Sequence, residues 1–251
     1  MDSLAAKFIY IWGYPLDFSL SPFFQEHCAI ISGNRILYKI FRGETEDFLQ
    51  LLKNERCIGA NVTIPHKIDV LSLCDELTET AKTAGSVNTI FKSNGRIFGD
   101  NTDGTGLVKW LKIKGTNLEK CEILGNGGSA RSIAAALSKE NCEITIFGRT
   151  EKSWEKNFGV FKPLSEWKDD FLTISTLPFE VKGKNVVNIG YSSGKASIDS
   201  QMMLAFQGWL GAQRWFGNTL PAEDFARIVK LHAKAQSNQG LILNLANKNE
   251  I

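Results

Sequence analysis

The chain has 251 residues, 29 Lys and Arg against 27 Asp and Glu for a formal net charge of +2, 43% hydrophobic residues and 22% charged ones. That balance excludes a protein held on nucleic acid mainly by phosphate contacts, and the composition excludes a disordered chain, leaving a globular protein of one or two domains. Cysteines 28, 57, 74, 121 and 142 show no C-x-x-C spacing and fall mostly in apolar stretches, and no apolar stretch near the N-terminus resembles a leader or a spanning helix, so buried thiols in a cytoplasmic protein are expected.

Apolar runs at 8–12, 36–40 and 58–63 predict strands, and the patterns at 22–31 and 46–52 predict helices. Such alternation argues for a mainly parallel sheet covered by helices. Before the first helix, Ser19-Leu20-Ser21-Pro22 offers two hydroxyls beside a helix start, which suits a carboxylate; Ser21 reads equally well as an N-cap. After the third strand, Asn61-Val62-Thr63 leads to Pro65, expected as the first residue of a helix that carries Lys67 in its opening turn. There the helix dipole and partial burial would both disfavour the ammonium, drawing its pKa towards the working range. The run Gly99-Asp100-Asn101-Thr102-Asp103 supplies a carboxylate, Asp103, suited to orient that lysine. An amine and a carboxylate meeting at one carbonyl make a proton-handling pair, which points to an enzyme.

A second alternation follows: a helix near 106–112, a strand at 121–124, the turn Gly125-Asn126-Gly127-Gly128-Ser129-Ala130, a helix around 133–137 and a strand at 143–147. A Gly-x-Gly-x-x-Ala turn between strand and helix lets the backbone approach a pyrophosphate at a helix N-terminus, so a dinucleotide cofactor is expected. The second strand ends in Gly148-Arg149-Thr150 instead of an acidic residue, and a guanidinium with a hydroxyl favours a 2′-phosphate and hence NADP. Further strands are expected at 172–175, with Thr176 assigned to the cofactor site, and at 186–189. His27, His66 and His232 show no metal-ligand spacing, so no metal is expected. The six tryptophans, Trp209 and Trp215 among them, are expected to pack the core.

With these residues assembled, the chain resembles the shikimate dehydrogenase family from about residue 11 to 217. The matching pieces, in order, are Gly13-Tyr14-Pro15-Leu16 with Ser19 and Ser21, Asn61 to Lys67, Ala84 to Thr89, Gly99 to Asp103 with Gly106, the glycine turn, Arg149-Thr150, Tyr191 and Met203 to Gln207. The resemblance implies an N-terminal α/β substrate domain (1–103 with 200–251) facing a shortened Rossmann-like NADP-binding domain (104–199) across a cleft. It implies NADPH-dependent interconversion of 3-dehydroshikimate and shikimate, towards aromatic amino acids, by a monomer or homodimer. Ser19 and Ser21 would hold the carboxylate, Thr63, Asn88, Asp103 and Gln207 the ring hydroxyls, Lys67 the proton, and Tyr191 would line the pocket. The chain departs from the family's pattern at Phe18, Asn188, Ser193, Ala196 and Ser200, and Met203 follows Tyr191 by only 12 positions, too few for the helix the family places there. A relative acting on quinate or an amino analogue of shikimate, and a non-catalytic paralogue that binds substrate or nucleotide, are the alternatives; retention of Lys67 and Asp103 speaks against the second.

Overall fold

The structure, a computed structural model, describes residues 6–14, 16, 21–189, 197–217 and 221–229. Ser19 and Tyr191 lie outside the described residues, as do Phe18, Ser193, Ala196 and His232. The chain divides into two compact units, residues 1–219 and 220–251. In the second, 222–229 is helical, with Ala222, Phe225, Ala226 and Val229 buried at the i, i+3, i+4, i+7 spacing of an amphipathic helix.

The first unit contains two sheets. Six strands, β1 (Lys7–Trp12), β2 (Ile36–Phe41), β3 (Cys57–Val62), β4 (Glu76–Leu77), β5 (Thr89–Ser93) and β6 (Arg96–Asp100), form one in the order β2-β1-β3-β5-β6-β4. β1 pairs in parallel with β2 and β3, as the alternation of elements predicts. β5 runs antiparallel to both β3 and β6, so this sheet is mixed where a mainly parallel one was expected. The cause is local: Asn94 and Gly95 both take positive φ, 51° and 75°, which closes a two-residue hairpin. Helices α1 (Ser21–Ile31), α2 (Thr45–Lys53) and α3 (Glu79–Ala84) accompany the sheet. α3 is capped by the Thr78 hydroxyl, which accepts from Ala81 N at 3.2 Å, and ends at Gly85 in the left-handed region. Trp12, Phe48, Leu52, Val62, Val70 and Ile90 make the core, with the Trp12 ring stacked on Phe48 at 4.2 Å.

The second sheet is wholly parallel: β7 (Lys120–Leu124), β8 (Glu143–Gly148), β9 (Val160–Pro163), β10 (Leu172–Ser175) and β11 (Val186–Asn188), ordered β11-β10-β7-β8-β9. α4 (Asp103–Ile113) leads into it and α5 (Gly128–Ser138) crosses from β7 to β8. Ile123, Ile146 and Ile174 are fully buried, the apolar centre expected of strands covered on both faces. The connections around β9 carry only short 3-10 turns, Glu155–Asn157 and Leu164–Glu166. α6 (Ile198–Phe216) returns to pack on α1 and α4. Gly106 permits that contact, since a Cβ there would sit 2.6 Å from the Gln207 backbone nitrogen.

The family-type departures Asn188 and Ser200 interlock at the start of α6. The Asn188 carbonyl accepts from the hydroxyls of Ser197 and Ser200 at 2.7 and 2.8 Å, while Ser197 also accepts from Ser200 N as the helix N-cap. All five cysteines are free, with Cys28, Cys57 and Cys121 buried. Burial pushes the Cys28 thiol up to about 12, which makes it an unreactive filler of the core. Among the described residues no helix is long and apolar enough to cross a membrane.

Candidate active site

The helix expected at Pro65 does not form. Residues 64–68 make turns, and only Asp69–Leu73 coils, as a 3-10 helix. The physical reason is a long-range bond: the Lys67 carbonyl accepts from Val87 N at 2.8 Å, which ties this segment to the strand approach of β5. Helix-dipole tuning of Lys67 is therefore withdrawn. What Val87 does instead is place Lys67 beside the next residue, Asn88.

Asp103 is the first residue of α4. Lys67 Nζ lies 2.6 Å from Asp103 Oδ2, with side chains 24% and 10% exposed, so the pair is largely withdrawn from water. Asn88 Nδ2 donates to Asp103 Oδ1 at 2.7 Å and to Gln207 Oε1, from α6, at 3.1 Å. Gln207 Nε2 in turn donates to the Leu204 carbonyl at 2.9 Å, which settles its amide orientation. Four of the expected residues, from four separate stretches of chain, thus form one connected group. Thr63 follows β3 and lies against Gly13, where a Cβ would come within 2.3 Å of its methyl carbon. Ser21 opens α1 and is buried; its hydroxyl is hydrogen-bonded to the Tyr38 phenol, which also donates to Asn61 Oδ1 at 2.7 Å. Burial holds that phenol well above its ordinary range, so Tyr38 is a neutral hydrogen-bonding group.

Neighbours within the same motifs support this group. Asn88 Oδ1 accepts from Thr102 N at 2.9 Å and from the hydroxyls of Thr102 and Thr89 at 3.1 and 3.0 Å. Beneath the pair, Asp100 is 3% exposed and accepts from Thr78 Oγ1 at 2.6 Å, from the Thr80 hydroxyl, from Asn101 N at 2.8 Å and from Arg214 Nε at 2.9 Å. Burial alone would raise this carboxyl, but the two threonine hydroxyls and Arg214 outweigh it and hold Asp100 below the usual carboxylate range. Asp100, Thr80, Gln213 and Arg214 also line a pocket of about 260 Å³ beside the loop.

The glycine turn stands as expected, between β7 and α5. Gly125 has φ +97°, and a Cβ there would meet Thr176 Oγ1 at 2.4 Å; Thr176 itself donates to the Leu124 carbonyl at 2.9 Å. Gly127 and Gly128 have open space where side chains would stand. Gly127 occupies the N-cap of α5 with no side-chain cap, and Gly127, Gly128 and Ser129 are exposed, so the positive end of the helix is open to an anion. Arg149 and Thr150 are exposed at the end of β8, and Asn126 bridges the turn to them, donating to the Thr150 carbonyl at 2.7 Å. A fully buried carboxylate the sequence did not flag, Glu155, accepts from Asn126 Nδ2 and from Lys152 N, both at 2.7 Å. An exposed N-terminus, a side-chain-free cradle and an adjacent guanidinium fit a phosphorylated dinucleotide.

Residues 11–90 match the family model described as the shikimate dehydrogenase substrate binding domain. A shikimate dehydrogenase (NADP(+)) of Nitrosopumilus maritimus is 33% identical over 205 residues, covering 78% of this chain and 73% of that one. Another, of Gluconobacter oxydans, is 41% identical over 144 residues, 56% of this chain. The match spans only 52% of the Gluconobacter protein, and 54% to 65% of three further curated relatives. Among solved structures, that of Thermus thermophilus shikimate 5-dehydrogenase in complex with NADP(H) and shikimate is 25% identical, with a TM-score of 0.76 over 90% of this chain and 100% of that one.

Proposed function

The chain belongs to the shikimate dehydrogenase family, and from that premise we propose that it reversibly reduces 3-dehydroshikimate to shikimate with NADPH, in the route to aromatic amino acids. The observation that carries the proposal is the 2.6 Å approach of Lys67 to Asp103, with Asn88 and Gln207 hydrogen-bonded beside it. In this reading the sheet of residues 7–100, with α6, holds the substrate, and residues 104–199 hold the nucleotide. The five free cysteines suit the cytoplasm.

The glycine turn at the start of α5, with Arg149 and Thr150 for the 2′-phosphate, would hold NADPH, which when bound would supply the hydride. As the ketone becomes an alkoxide, Lys67 delivers a proton to that oxygen, and in the reverse direction it takes the proton from the alcohol. Asp103 orients the amine and balances its charge. Asn88 and Gln207, whose amide orientations are already fixed by protein partners, present donors and acceptors to the remaining ring hydroxyls, with Thr63 at the end of β3. Ser19 and Ser21 take the carboxylate, and Tyr191 lines the pocket.

Steady-state oxidation of shikimate and of quinate, each with NADP+ and with NAD+, tests the proposal through the absorbance of the reduced nicotinamide. Turnover of shikimate with NADP+ is expected. Activity confined to quinate would reassign the substrate, and no turnover with either cofactor would make the protein a binder.

A further inference from the structure

Helix α4 starts at Asp103, and the N–H groups of a helix's first turn find no partner within the helix. The usual remedy is a hydroxyl or carboxamide at the N-cap. Thr102 holds that position yet makes no capping bond; its hydroxyl is engaged by Asn88 instead, accepting from Nδ2 at 3.0 Å and donating to Oδ1 at 3.1 Å. The cap comes from two other side chains. Asn101 Oδ1 accepts from Asp103 N at 3.2 Å, and Ser132 Oγ, from α5, accepts from Gly104 N at 3.0 Å. Ser132 sends its own proton to Asn101 Oδ1 at 2.7 Å, while Asn101 Nδ2 donates to Ser86 O and Oγ at 3.1 and 2.9 Å, so every atom of the Asn101 amide has a defined role. Asn101 and Ser132 are 2% and 5% exposed, so a lost partner there leaves a buried polar group. Close packing reinforces the arrangement: a Cβ on Gly104 would lie 2.1 Å from the Ser132 carbonyl oxygen.

We propose that Ser132 is a positioning residue that caps α4 from the neighbouring helix and so keeps Asp103 turned towards Lys67. A carboxylate in a helix's first turn is itself attracted to the free N–H groups there. With those groups satisfied by Ser132 and Asn101, the Asp103 oxygens are left for Lys67 and Asn88. Because α5 also begins in the glycine turn, the Ser132 hydroxyl connects that helix to the start of α4. The inference rests on Lys67 and Asp103 being the reacting pair.

Ser132→Ala and wild-type protein are compared in steady-state turnover and, free of ligand, in amide hydrogen exchange. The substitution is expected to lower kcat about tenfold with both KM values within about twofold, the size of a lost helix cap expressed at the reacting groups. Exchange at Asp103 and Gly104 is expected to accelerate at least about tenfold while Ile90 and Phe98, in the hairpin, stay unchanged, a local and not a global opening. In an Asp103→Asn background the same change is expected to lower kcat by less than about twofold, because the two act through one group. Ser132→Thr, which restores a hydroxyl, should recover most of the rate; if Ser132→Ala does not fold, Ser132→Cys, with similar volume and a weak donor, replaces it. Unchanged exchange at Asp103 and Gly104, an unchanged kcat in an active enzyme, or an equal loss in both backgrounds would each overturn the inference. A wild-type protein without shikimate turnover would instead sink the proposed function, and the exchange data alone would then judge the cap.

Discussion

Asp103 divides its two oxygens between two partners: one contact holds the Lys67 amine, the other the Asn88 amide. Asp100, three residues earlier, does a different job, binding α3 through Thr78 and Thr80 and α6 through Arg214. Replacing it by Asn should destabilise the protein by about 1–3 kcal/mol near neutral pH, with the half-exposed Arg214 contributing little of that. The pH dependence has a definite sign. A carboxyl held below its unfolded value stabilises the fold above that value and loses the effect as acid protonates it, so the gap between wild type and Asp100→Asn should close as the pH falls through the carboxylate range. Denaturant unfolding across that range measures it, and a gap that widened on acidification would contradict the assignment.

At the scale of elements, the sequence was legible wherever periodicity and punctuation coincide. The strands ending at Trp12 and Leu124, and the glycine turn opening α5, stand within a residue or two of expectation, because an apolar run flanked by glycine has few alternative structures. The β5–β6 hairpin was missed although Asn94-Gly95 is a strong hairpin signal, since its strands carry Lys92, Ser93 and Arg96 and lack a clean apolar run. The helix at Pro65 was over-read, since a proline fits the first turn of a helix but cannot anticipate the bond from Val87 to Lys67. Of the site, residues in compact motifs were readable. Ser132 and Arg214 were not, because their partners Gly104, Asn101 and Asp100 lie 28 to 114 positions away. Gly106→Ala tests the packing that brings α6 to the site: it should lower stability by about 1–3 kcal/mol through overpacking and raise the KM for shikimate, while leaving NADP+ binding unchanged. Thermal melts and steady-state kinetics check both halves.

Across the whole molecule, two sheets of different character share the labour. Lys67 follows β3, Asn88 precedes β5 and Asp103 opens α4 after β6 of the mixed sheet, while the parallel sheet offers one glycine-lined helix end with Arg149 beside it. Arg149→Gln should therefore erode the preference for NADP+ over NAD+ by about tenfold in the ratio of kcat/KM values, chiefly through NADP+, since one charged hydrogen-bonding partner of a phosphate is lost. An unchanged ratio would move the 2′-phosphate elsewhere. All of this presupposes that the Lys67 amine handles the proton of the reaction. The direct measurement is shikimate oxidation by Lys67→Ala with NADP+, alongside shikimate binding to the same variant: kcat should fall by about a hundredfold or more with affinity for shikimate little changed, and a variant that turned over at nearly the wild-type rate would contradict the account.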